Sequence, residues 1–121
     1  MRSKLFFLAI LCALGLTSCY QPERDCANFK TGTFTFEYDV NGEKKRSEFE
    51  RTDKYSIEHY ENKIDTAAVR WLNNCEFILT PSDKQTPIHY KILSTTTNSY
   101  TFEYNVVGKS IKSKGTAIKT N

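Results

Sequence analysis

The chain has 121 residues, 17 of them basic and 14 acidic, with a formal charge of +3 and four cysteines. This length allows one small domain with a modest core. Arg2 and Lys4 precede every acidic residue, and without them the charge falls to +1, so charge gives no argument for a nucleic-acid partner.

Arg2 and Lys4 make a basic start, and an apolar run from Leu5 to Leu16 follows, broken only by Gly15. That run is too short to span a bilayer as a helix, which takes about 20 residues. Basic start, short apolar stretch and small residues together form a secretory signal pattern. Leu16-Thr17-Ser18-Cys19 resembles the lipobox of bacterial lipoproteins, in which the cysteine thiolate takes the lipid. The alternatives weighed are an ordinary signal beside a chance cysteine and a transmembrane anchor. The expected organisation is a signal at 1–18, a lipidated tether at 19–25 and a single β domain at 26–121. Tyr20 after Cys19 offers no obvious inner-membrane retention signal, so the expected location is the cell envelope, lipid-anchored to the outer membrane.

Beyond the tether the apolar period is two. Phe34, Phe36, Tyr38 and Val40 alternate with Thr33, Thr35, Glu37 and Asp39, and Asn41-Gly42 follows as a two-residue hairpin turn. That turn sets Val40 opposite Glu43, Asp39 opposite Lys44, Glu37 opposite Arg46 and Phe34 opposite Phe49. Tyr55, Ile57 and His59 give a third strand, with its turn at Glu61-Asn62-Lys63. Ala67, Val69 and Trp71 face one way on a fourth strand. A three-residue loop, Leu72 to Asn74 with Asn74 left-handed, leads to Cys75, Phe77 and Leu79 on a fifth and sets Arg70 opposite Glu76. Thr80 to Pro87 is a polar loop. Ile88, Tyr90 and Ile92 begin the sixth strand, Tyr100 to Val106 forms the seventh, and residues 109–119 make a lysine-rich eighth. Thr35–Gly42 and Thr101–Gly108 share six of eight residues at an offset of 66, through duplication or through common hairpin chemistry.

Eight short strands at this spacing predict an all-β antiparallel meander, closed as a small lipocalin-like barrel or folded as a sandwich. The expected core is Phe34, Phe36, Tyr38, Phe49, Ile57, Val69, Trp71, Phe77, Leu79, Tyr90, Ile92, Tyr100, Phe102 and Tyr104. The aromatic stripe either fills that interior or lines a ligand cavity, and filling is the expectation for so short a chain. Lys109, Lys112, Lys114 and Lys119 read as a solvated strand edge, with anionic headgroups or an acidic partner as the alternative. Cys12 leaves with the signal and Cys19 takes the lipid. Cys26 and Cys75 remain for an oxidising compartment and are expected to pair. Closing a loop of roughly 50 residues contributes about 4 kcal/mol in the chain-entropy model.

No catalytic constellation emerges. His59 and His89 fall on different strands, with no acidic or cysteine neighbour at ligand spacing, so no metal site and no cofactor is expected. Glu37, Asp39, Glu48 and Glu50 read as a solvated face, not a catalytic pair. Neither a GxSxG elbow nor a phosphate-binding glycine loop is present.

One resemblance spans nearly the whole chain after the signal. Leu16–Cys19, Cys26-Ala27-Asn28-Phe29-Lys30-Thr31-Gly32 with Phe34, Phe36, Tyr38 and Asn41-Gly42, then Val69-Arg70-Trp71 with Cys75-Glu76-Phe77, is similar to a family of short uncharacterised lipoproteins of Bacteroidota-type bacteria. Some sequences of that kind carry a DNA topoisomerase IV label, which no residue pattern here supports. The resemblance implies an envelope address and names no activity. The expected function is that of a membrane-anchored, non-catalytic interaction or structural module that contacts an envelope protein. The alternative is a carrier or sensor of a small apolar ligand in a lipocalin-like barrel; an enzyme is a distant third.

The lipobox gives the first prediction. Cys19→Ser abolishes metabolic lipid labelling and releases the protein from membranes; unchanged lipid incorporation in the variant contradicts the reading.

Overall fold

In a computed structural model the described residues, 24–82 and 86–121, form one closed sheet. The expected signal segment, Cys19 and the start of the expected tether lie outside them, as do residues 83–85. A short 3-10 turn, Cys26–Phe29, is followed by eight strands: β1 Gly32–Val40, β2 Glu43–Arg51, β3 Tyr55–Tyr60, β4 Lys63–Asn73, β5 Glu76–Pro81, β6 Ile88–Thr95, β7 Ser99–Val106 and β8 Ser113–Lys119. Each pairs antiparallel with its neighbours, and β8 pairs with β1 to close the barrel. The meander is therefore a barrel and not a sandwich.

The first hairpin has the register that its turn dictates. Asn41 and Gly42 take φ of 52° and 82°, both left-handed, which is what a tight turn of matching twist requires. Phe34 then faces Phe49 with rings stacked at 5.1 Å, and Glu37 faces Arg46. Arg46 makes its ion pair along its own strand, with Glu48 at 3.8 Å. The turn from β3 to β4 has the same geometry without glycine: Glu61 and Asn62 take φ of 44° and 65°.

Two local expectations fail for stated reasons. The loop from β4 to β5 contains only Asn74 and Cys75, because Asn73 pairs with Glu76. Trp71 faces Phe77 and Arg70 faces Ile78. Leu72 is bulged out of the ladder, and this restores the parity that a longer loop was expected to supply. Asn73 Oδ1 accepts the Cys75 N–H at 2.9 Å, so the turn is held by a side chain, and Asn74 is not left-handed. On β3 the faces are the reverse of those expected. Glu58 pairs with Phe49 and Ser56 with Arg51, so Ser56, Glu58 and Tyr60 face the lumen while Ile57 and His59 face outward.

The lysine-rich β8 is not an edge, since it pairs on both sides. Three of its inward residues, Ser113, Gly115 and Ala117, are small. A Cβ added to Gly115 would sit 2.9 Å from Phe102 Cζ and closer still to the Phe36 ring, so glycine at this position leaves room for two aromatic rings.

The two ends of the barrel differ. At one end lie the turns from β1 to β2 and from β3 to β4, with the end of β5, the start of β6 and the connection from β7 to β8. At the other end the 3-10 turn closes the barrel, with Phe29 fully buried. Cys26 and Cys75 are disulfide-bonded across 49 residues, tying this plug to the turn between β4 and β5. Lys119 Nζ donates to Asn28 O at 2.7 Å. Arg24 and Asp25 are also engaged with β6: Arg24 Nη1 donates to Ile92 O at 3.2 Å, and the Asp25 N–H to Thr95 Oγ1 at 2.9 Å.

Candidate functional site

The barrel lumen converges on a buried charge. Arg51 is the last residue of β2 and shares the parity of Ser47 and Phe49, so the strand turns it inward, where it is only 3% exposed. Its Nε donates to Lys30 O at 2.9 Å, its Nη2 to Phe29 O, and its Nη1 to the Tyr100 hydroxyl at 3.1 Å. The guanidinium carbon stands 4.8 Å from the centre of the Phe34 ring and 4.7 Å from that of Phe77. Phe49, Trp71 and Tyr100 complete the ring of aromatic faces at 5.6–5.7 Å. Among the described residues no carboxylate lies within ion-pair distance of it.

Above Arg51 the lumen is hollow. A cavity of about 130 Å³ is walled by Phe36, Phe77, Leu79, Tyr90, Phe102 and Tyr104, with Arg51 on its floor. A second cavity, of about 250 Å³, shares Ser56, Glu58, Leu79 and Tyr90 with the first and reaches Asp65, Thr66 and Ser82 near the open end. The predicted aromatic stripe therefore lines the interior without filling it. Its rings prop one another: Tyr90 stacks on Phe77 at 5.0 Å with planes 2° apart, and on Tyr104 at 5.5 Å. Such pairs hold walls upright at about 0.5–1.5 kcal/mol each beyond their burial.

The lumen raises the pKa of Glu58, Tyr90 and Tyr100. Glu58 stays open to solvent at the mouth, but partial desolvation against the lumen wall pushes its carboxyl above the usual carboxylate range, and the charge of Asp65 pushes it further. The nearby Ser47 hydroxyl opposes this in part, although it lies outside hydrogen-bonding geometry and has no partner. Burial likewise raises the Tyr90 hydroxyl, helped by Glu58, and the Tyr100 hydroxyl, against the pull of Arg51.

The other expected groups lie away from the lumen. Glu37, Asp39, Glu48 and Glu50 are exposed, as a solvated face requires. His59 is exposed opposite Glu48. His89 does have an acidic neighbour, contrary to expectation: Glu76 Oε1 lies 3.3 Å from its Nε2, because the register of β5 and β6 sets the two diagonally. Asn73 donates to the same carboxylate at 2.7 Å, and that bond is the main reason Glu76 is held below the usual range. Among the described residues no cluster of three or more ligating side chains could hold a metal. Arg51, Ser56 and Glu58 were missed as lumen residues. The signal was present for Arg51, which stands two residues after Phe49 in an alternating strand.

Searches against family models, curated proteins and solved structures each give no significant match.

Because the folded pKa of Glu58 is raised, the folded state holds its proton more tightly than the unfolded chain does. Its contribution to stability is present below the ordinary glutamate range and is lost as pH rises through the raised value. Glu58→Gln therefore removes a fall in stability that begins as pH rises past the ordinary glutamate range, and the variant is at least as stable as the parent at pH 7. Urea midpoints measured from pH 4 to pH 8 check this; parallel profiles for the two proteins contradict it.

Proposed function

We propose that this is a membrane-tethered, non-catalytic binding domain that carries or senses one small apolar ligand in its barrel. The supporting observation is the hollow interior: an outer space lined by Ser56, Glu58, Asp65 and Thr66 adjoins an inner, aromatic-walled one over Arg51. An eight-stranded barrel is just wide enough to be filled by side chains or to hold one small ligand. A module that acted only through its outer surface would gain stability from a filled interior. Apolar walls with a few convergent polar groups are the usual composition of a small-molecule site.

Cys19 stands seven residues before Cys26, and at about 3.4 Å per residue the chain between them reaches ~24 Å. A lipid on Cys19 therefore keeps the plugged end of the barrel toward the bilayer and turns the mouth away from it. The ligand is then taken from the aqueous side and not directly from the anchoring leaflet. One observation favours the interaction reading as well: Ile64, Val106, Val107 and Ile111 are exposed apolar side chains on or near the turns of the open rim, where an envelope protein would meet them.

Native mass spectrometry of the protein purified from its own envelope decides the matter. A stoichiometric small apolar adduct, lost on mild activation, is the expected result. An adduct-free protein that gains no thermal stability from any apolar compound contradicts the proposal, since a ligand bound to the folded state alone must stabilise it.

A further inference from the structure

We propose that the ligand carries an anionic head, of the carboxylate class, seated on Arg51 at the floor of the barrel with its apolar body among the rings above. This rests on the ligand-binding reading and adds the chemistry that would recognise the ligand.

Arg51 is the one buried cation of the inner cavity's lining. A guanidinium has five N–H donors in a planar fork. Two are taken by the plug carbonyls of Phe29 and Lys30 and one by Tyr100, which leaves one N–H on Nη1 and one on Nη2. Backbone carbonyls and ring faces solvate the cation but do not neutralise it, and among the described residues it has no counter-ion. A buried charge ordinarily has a partner, because leaving it alone in a low-dielectric interior is costly. Here the free donors sit on a residue that also lines the inner cavity. A carboxylate matches the two-pronged edge of a guanidinium, and the Tyr100 hydroxyl beside it is a further polar contact for the same group. The inner cavity, at about 130 Å³, admits a short chain or a single ring behind that head and not a long lipid.

Trp71, the only tryptophan, has its ring centre 5.7 Å from the Arg51 guanidinium and 4.6 Å from that of Phe77, so its emission reports on the floor of the site. The full chain in phosphatidylcholine vesicles is titrated with hexanoate, hexanol and hexylammonium, which share one chain length, and protein-free vesicles correct for partitioning. Hexanoate is expected to saturate the Trp71 signal at a concentration at least about tenfold below that of hexanol, with hexylammonium weakest. Arg51→Met is expected to bring hexanoate and hexanol to the same affinity, and Arg51→Lys to retain part of the preference. The comparison on the unaltered protein stands even where a variant fails to fold. Equal affinity for hexanoate and hexanol, or a preference for hexylammonium, overturns the anionic head and leaves the apolar-ligand reading intact. No saturable response to any of the three overturns that reading itself.

Discussion

A guanidinium placed inside an aromatic barrel must be solvated by the protein, and the groups that solvate Arg51 also close the barrel. Its donors reach the carbonyls of Phe29 and Lys30, which belong to the plug, and the hydroxyl of Tyr100, which belongs to β7. One side chain from the end of β2 thus fastens the N-terminal segment to the far wall. Each buried bond left unmade would cost about 1–3 kcal/mol, so the plug, the tyrosine and the arginine are held as a unit. The disulfide from Cys26 to Cys75 and the bond from Lys119 to Asn28 hold the same plug from two other sides. Three independent ties on four residues of 3-10 turn make this the fixed end of the molecule.

The fixed end gives the hollow its shape. With the floor sealed, the lumen opens only toward the turns at the other end, and what lines it changes along the way. Rings from β1, β2, β5, β6 and β7 wall the inner part, and β3 contributes Ser56 and Glu58 where the inner and outer parts meet. Small inward residues on β8, Gly115 and Ala117, let Phe36 and Phe102 approach that strand closely. A continuous hydrophobic core would have needed large apolar groups on β3 in place of a serine and a glutamate. The polar face of β3 is therefore the sequence feature that keeps the interior from filling, and the raised pKa of Glu58 reflects its position there.

Much of this architecture was legible from period-two patterns and turn residues. Asn41-Gly42 fixed the first hairpin residue by residue, and thirteen of the fourteen expected core residues point into the barrel. The exception, Ile57, shows why apolarity is a weaker guide than register. β3 carries its aliphatic residue outward and its polar ones inward, and only pairing with Phe49 and Arg51 reveals this. The loop after β4 was misread because a bulge at Leu72 and a shorter turn change parity by the same amount as a longer loop. Arg51 has the inward parity of Phe49, but its charge outweighs that signal: a basic residue at a strand end reads as solvent-facing until the carbonyls that receive it are known. The sequence offered a closed barrel and a sandwich without deciding between them, since the pairing of β1 with β8 joins segments more than 80 residues apart. The two similar segments, Thr35–Gly42 and Thr101–Gly108, lie on β1 and β7, the strands that flank β8 on either side.

The barrel is hollow above a sealed, charged floor. Xenon enters apolar voids of this size without needing a polar partner. A crystal of the protein diffracted under xenon pressure should show one xenon atom enclosed by Phe36, Phe77, Tyr90 and Phe102, with the plug and Arg51 unmoved. Side chains collapsed into that space, with no xenon inside the barrel, would contradict the account.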